Sequence, residues 1–296
     1  MNGEKLPRVD KIICLAGWEP RFLEGVKKGL ELTQAQECII FYAEEFTNKS
    51  ENNINELEEF CEKTNIKIVK NKLFYNSPLE TKKIILSTFN QYKENDQILI
   101  DITTMTRELI WMILGTLTAK KINVNYIYWR PETTAHWTSK NSSRPRLVMG
   151  RAGVSEYGKP TLVAVTTGFD PSRLDQMVCY FEPEETILFL QEGHQFENHI
   201  NNIKIYDGYR LGSTQAKQYS IDSYGPDHGL EVITTILSPY LETHNIVLSS
   251  FGPKPSALAL HKFAQAHPDV ALAYTPALEF NEDYSRGIGH CVWGQI

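Results

Sequence analysis

A glycine-led polar loop follows a short apolar run twice in this chain. Ile12-Ile13-Cys14-Leu15-Ala16 runs into Gly17-Trp18-Glu19-Pro20-Arg21-Phe22-Leu23, and Leu162-Val163-Ala164-Val165 leads to Gly168-Phe169-Asp170-Pro171-Ser172-Arg173-Leu174. Glycine, proline and leucine recur in register, with an aromatic and an acidic residue in matching places. Further on, Ile98-Leu99-Ile100-Asp101-Ile102-Thr103-Thr104-Met105-Thr106-Arg107 has a counterpart in Ile246-Val247-Leu248-Ser249-Ser250-Phe251-Gly252-Pro253-Lys254. The offset between the copies is nearly constant and about the length of a small domain. A chain built this way is confined to two copies of one strand-and-helix unit.

Within each copy, short β-branched runs alternate with longer amphipathic stretches. In the first half the pattern predicts strands near Lys11–Ala16, Glu37–Tyr42, Ile66–Phe74, Gln97–Asp101 and Asn123–Trp129. Helices fall between them, near Pro20–Leu32, Asn52–Thr64, Pro78–Lys93 and Thr106–Lys121. The second half predicts strands near Thr161–Thr166, Thr186–Leu190, Asn202–Tyr206, Asn245–Ser249 and Val270–Tyr274, with helices near Pro171–Phe181, Leu230–Glu242 and Pro255–Ala266. Such alternation means parallel sheets covered by helices. The expected fold is therefore α/β, two tandem Rossmann-like parallel-sheet domains forming a pseudo-dimer. Residues 1–131 would be the N-terminal domain, the polar and punctuated 132–160 a linker or lid, and 161–296 the C-terminal domain with a C-terminal extension that folds back over a neighbouring surface.

Composition narrows the functional classes. A hydrophobic fraction of 42%, a charged fraction of 22% and a formal net charge of −6 belong to an ordinary globular protein. The acidic balance argues against direct binding of duplex nucleic acid, which needs a basic stripe to displace counterions. The absence of a leader-like or membrane-length apolar run predicts a cytoplasmic protein without membrane contact. Five unclustered cysteines, Cys14, Cys38, Cys61, Cys179 and Cys291, read as reduced thiols, and the histidines, His194 and His199 included, lack metal-ligand spacing. No metal and no cofactor are expected.

Ligands of open parallel sheets sit beyond the carboxyl ends of the strands, where the repeated loops fall. Thr103, Thr104, Thr106 and the N–H groups opening the next helix would suit an anion, with Arg107 supplying charge, and Ser249, Ser250, Gly252 and Lys254 offer the same equipment. Gly17, Trp18, Glu19 and Arg21, with Gly168, Phe169, Asp170 and Arg173, would line the neighbouring loops. Asp101 closes the fourth strand. Plainer readings exist for each: hydroxyls before a helix are caps, and Glu19/Arg21 and Asp170/Arg173 are local ion pairs that order a turn. Trp18, Phe169, Trp129 and Tyr274 stand near the same edge, where an exposed ring would stack on a base and a covered one would be core. Neither GxGxxG, a P-loop lysine, GxSxG nor HExxH occurs.

The segment Ile100-Asp101-Ile102-Thr103-Thr104-Met105-Thr106-Arg107-Glu108-Leu109 resembles the fourth-strand motif of CRISPR-associated Rossmann-fold (CARF) domains, and the first-strand loop is the other ligand-contacting loop of that family. The duplication is similar to the fused tandem copies of the related SAVED domains. Where the family has a glycine pair before threonine-lysine, this chain has Thr104-Met105. The resemblance implies a sensor that holds a cyclic or linear oligonucleotide messenger between its halves in antiviral defence, with a protein effector as partner. Alternatives are a phosphodiesterase or nucleotide hydrolase using Glu19, Asp101 or Asp170 as general base, or a non-catalytic adaptor. No catalytic residue is assigned.

Overall fold

The computed structural model of the protein describes residues 6–135, 137–192, 199–211 and 214–296. The chain begins with β1 (Lys11–Leu15), α1 (Pro20–Thr33), β2 (Glu37–Ala43), α2 (Thr47–Lys63), β3 (Lys67–Leu73), α3 (Pro78–Thr88), β4 (Ile98–Asp101), α4 (Arg107–Ala119) and β5 (Val124–Trp129). Three short strands follow, β6 (Thr133–Thr134), β7 (Ser139–Ser142) and β8 (Arg146–Leu147). Next come β9 (Thr161–Thr166), α5 (Ser172–Phe181), β10 (Glu185–Gln191), α6 (His199–Tyr206), β11 (Arg210–Leu211), β12 (Thr214–Gln215), β13 (Lys217–Ile221) and α7 (Leu230–Leu237). The chain ends with β14 (Asn245–Ser250), α8 (Lys254–Ala266), β15 (Ala271–Tyr274), β16 (Ala277–Phe280), β17 (Ser285–Arg286) and β18 (Cys291–Gln295).

Local chemistry explains the boundaries. Pro20 and Pro78 stand in the first turns of α1 and α3, where a missing N–H costs nothing, and α1 stops at Gln34, which adopts a left-handed conformation. β1, β4 and β9 are apolar along nearly their whole length because helices cover both faces of a parallel sheet. No helix among the described residues is long and apolar enough to cross a membrane.

The protein is α/β and contains two compact units with one topology. In the first unit, 1–136 with 282–296, the sheet order is β18-β5-β4-β1-β2-β3; in the second, 137–281, it is β13-β10-β9-β14-β15-β8. Read from its first strand, each sheet runs third, second, first, fourth, fifth, all parallel, which is the Rossmann order. The sixth place is taken in both by an antiparallel strand from elsewhere in the chain: β18 beside β5, and β8 beside β15. The outer edges of β5 and β15 are thereby paired.

The structure corrects the expected role of 132–160 and of the C-terminal extension. The stretch 132–160 contributes β6, β7 and β8, of which β8 completes the second sheet and Val148 is fully buried. β17 pairs with β6 and β18 with β5, so the last fifteen residues belong to the first unit, while β16 pairs with β7 in the second. The expected strand at Asn202–Tyr206 is part of helix α6. Its Ile203/Ile205 alternation suggested a strand, yet those two side chains are exposed while Tyr206 is fully buried against the second core. The third strand of that sheet is β13, in a stretch where no strand is expected from the sequence. His194 lies outside the described residues, as does the side chain of His199.

Candidate functional site

In the first unit β1 and β4 are adjacent, while β2 and β5 leave on opposite sides. The loops after β1 and β4 therefore flank the topological switch point. They are fastened to each other. Thr104 Oγ1 donates to the Leu15 carbonyl at 2.5 Å, and its methyl carbon would lie 3.1 Å from a Cβ placed on Gly17, so only glycine lets the two loops meet without a shift. From α2, Asn53 Nδ2 donates to the Gly17 carbonyl at 2.8 Å.

The β4 loop is shaped by its own polar groups. Asp101 Oδ1 accepts from the Thr103 N–H at 2.8 Å, Thr103 Oγ1 accepts from the Trp129 N–H at 2.9 Å, and Thr106 Oγ1 accepts from the Leu109 N–H at 3.3 Å as the cap of α4. Asp101 and Thr103 are buried. Trp18, Thr104, Thr106 and Arg107 are half-buried at the loop surface, with Arg107 opening α4.

Glu19 and Arg21 form the ion pair that was the plainer of the two expectations, and it is buried as a clamp on the C-terminal segment. Arg21 Nη2 lies 2.5 Å from Glu19 Oε2, Nη1 donates to the Trp129 carbonyl at 2.9 Å and Nη2 to the Tyr284 hydroxyl at 2.7 Å. Tyr284 and Ser285 hydroxyls donate to Glu19 at 2.8 and 2.6 Å. Burial works against the Arg21 charge, but Tyr284 and Glu19 outweigh it and raise its pKa; burial and Glu19 push the Tyr284 phenol well above its ordinary range. No local signal in the sequence ties Glu19 and Arg21 to Tyr284 and Ser285, which lie at the far end of the chain.

The second unit repeats the arrangement with tighter backbone contact. A Cβ on Gly168 would lie 2.0 Å from the Phe251 carbonyl oxygen, and one on Gly252 would lie 2.6 Å from that of Thr167. Glycine is required at both positions for β9 and β14 loops to interlock. Ser249 Oγ donates to the Ala273 carbonyl at 2.9 Å, and Ser250 lies in a buried hydroxyl chain with Ser256, at 3.0 Å, and Thr166, 2.9 Å beyond. Asp170 Oδ1 accepts from the Ser172 hydroxyl and N–H, its other oxygen is 3.5 Å from Arg173 Nε, and Arg173 reaches Ser139 of β7. Phe169 and Lys254 are half-buried.

The structure thus divides the expected site residues. Glu19, Arg21, Asp101, Thr103, Arg173, Ser249 and Ser250 are buried and shape the loops; Gly17, Gly168 and Gly252 let them approach; Trp18, Thr104, Thr106, Arg107, Phe169, Asp170 and Lys254 remain at the loop surfaces. Trp129 and Tyr274 are core. Sequence reasoning missed two rings beside Trp18. Phe46, after β2, meets it edge to face at 5.7 Å, and Tyr75, after β3, meets Phe46 at 5.4 Å. An aromatic residue just past each strand end was the available signal.

The family model for the Csa3 CRISPR-associated Rossmann-like domain matches residues 17–141, which hold both switch-point loops of the first unit. Over that span the chain is similar to a CRISPR-associated Rossmann-like domain. Among solved structures, the chain is similar to a type III CRISPR defence DNA nuclease activated by cyclic oligoadenylate, with a TM-score of 0.53 and 9% identity, over 86% of this chain and 63% of that one. The chain thus spans less than two thirds of the nuclease, and at this identity the likeness concerns the fold. A type I 3-dehydroquinate dehydratase from Clostridium difficile aligns over 88% of this chain and 95% of its own at 11% identity, but its TM-score of 0.19 carries no structural weight. No curated protein matches the chain at a significant level.

Proposed function

We propose that this protein is a sensor for an oligonucleotide messenger of the cyclic oligoadenylate class, bound at the switch-point loops of its Rossmann-like units and relayed to a separate protein effector. The observation that carries this reading is the location of the family match: the CARF-like domain contains the paired β1 and β4 loops, and Arg107 opens the helix beyond them. Positive charge at the first turn of a helix, beside N–H groups directed outward, is suited to phosphate. Lys254 opens α8 in the equivalent place of the second unit, which supports a second, related loop for an anion.

The buried polar network has a definite part in this function. Thr103, Thr104 and Asn53 hold the first loop pair, and the two glycines with Ser250 hold the second, so the loops are fixed before ligand arrives and little ordering entropy is lost on binding. Glu19, closed in by Arg21, Tyr284 and Ser285, is poorly disposed to act as a general base.

A thermal-shift screen of the purified protein against cyclic and linear oligoadenylates tests the proposal, because any ligand that prefers the folded state raises the melting temperature. Stabilisation with the ligand recovered intact by chromatography is the expected result. Stabilisation with cleavage would make the protein a phosphodiesterase, and no shift with any oligonucleotide would leave the adaptor role.

A further inference from the structure

We propose that Trp18, Phe46 and Tyr75 form a base-stacking platform, which extends the ligand site of the first unit from the switch point across the ends of β2 and β3. This inference rests on the oligonucleotide-binding reading above and adds a second chemistry to it: recognition of base faces besides phosphates.

The three rings come from three successive loops at one edge of the sheet. Trp18 follows β1, Phe46 follows β2 and Tyr75 follows β3, and these strands lie side by side in that order. Ring centroids are spaced 5.7 and 5.4 Å, close to the roughly 4.8 Å separation of neighbouring strands, so the row keeps step with the sheet beneath it. Trp18, Phe46 and Tyr75 are each half-buried.

The row is also held in place. The Glu45 carboxylate accepts from the N–H groups of Tyr75 and Asn76 at 2.9 and 3.0 Å, tying the loop after β3 to the loop after β2. Lys49, in the first turn of α2, places its ammonium 5.5 Å from the centre of the Trp18 ring and 2.6 Å from Glu282. Paired with Glu282 and set against Trp18, Lys49 fixes the head of the row, and the rings beyond it suit bases. Aromatic faces accept any base, and stacking of this kind is a large part of single-strand recognition. Edge-to-face packing at 63° and 64° holds the rings against one another.

The test uses the full chain and two probes of equal length, an oligoadenylate and a ribose-phosphate oligomer without bases. Wild type should bind the oligoadenylate more tightly. Phe46→Leu and Tyr75→Leu should each weaken oligoadenylate binding about tenfold or more while leaving the abasic probe unchanged. Fluorescence quenching by the oligoadenylate should shrink in Trp18→Phe. Oligoadenylate affinity equal to wild type in both leucine variants would overturn the platform while leaving the sensor function standing. Absence of oligoadenylate binding in wild type would overturn the function and the platform together. Tyr75→Ser, at the end of the row, carries the test if Phe46→Leu melts early.

Discussion

Replacing Arg21 with methionine should destabilise the first unit by about 3–5 kcal/mol, because the Glu19 carboxylate would stay buried with only hydroxyl partners. Arg21 is 2% exposed, and its guanidinium donates to Glu19, the Trp129 carbonyl, Tyr284 and Ser285, so no water can replace the lost donors without opening the segment. Glu19→Leu should cost a similar amount by stranding the opposite charge. The double variant should cost far less than the sum, since a buried pair exchanged for apolar side chains is often close to neutral. Urea unfolding followed by tryptophan fluorescence reads this directly: a loss of about 4 kcal/mol lowers the midpoint by roughly 2 M at a typical slope. Proteolysis near Tyr284 should accelerate in each single variant and recover in the double. Single losses below about 1 kcal/mol, as for an exposed pair, or strict additivity, would refute the clamp and return both residues to the ligand site.

The glycines and a buried histidine give further outcomes. Gly168→Ala, whose methyl would press on the Phe251 carbonyl at 2.0 Å, should cost about 1–3 kcal/mol and exceed the effect of Gly17→Ala, which meets only a threonine methyl at 3.1 Å; melting curves of the two variants decide it. His261 is fully enclosed in α8, and burial, aided by Arg151 and Lys262, lowers its pKa from 6.5 to about 3. The fold holds the neutral ring, so this contribution is complete above pH 6.5 and is lost as pH falls toward 3, by about 1.4 kcal/mol per pH unit. His261→Leu should flatten the acid side of the stability profile by that slope, and an unchanged slope would contradict the enclosed neutral state.

Much of this architecture was legible in the sequence because it depends on local pattern. Apolar runs of strand length, prolines at helix starts and the recurrent glycine loops identify both sheets and place the loops after β1, β4, β9 and β14. Pairings across long sequence separations were not legible. Nothing near Tyr284 announces that it meets Arg21, and nothing in Cys291–Gln295 distinguishes an edge strand of the first sheet from one of the second. The hydroxyl-rich stretches were ambiguous for a physical reason: serine and threonine serve equally well as ligand donors and as caps, and at Thr103, Ser249 and Ser250 burial assigns them to the fold. Phe46 and Tyr75 carry no motif, and only the order of adjacent strands brings them into line with Trp18.

Titration calorimetry of a cyclic oligoadenylate into wild type, Arg107→Ala, Lys254→Ala and the double variant tests the central claim most directly. The account predicts saturable binding by wild type, an affinity loss of about tenfold or more in each single variant, and no measurable binding in the double, with all four proteins melting at similar temperatures. Binding undiminished in the double variant, or no binding by wild type, would contradict it.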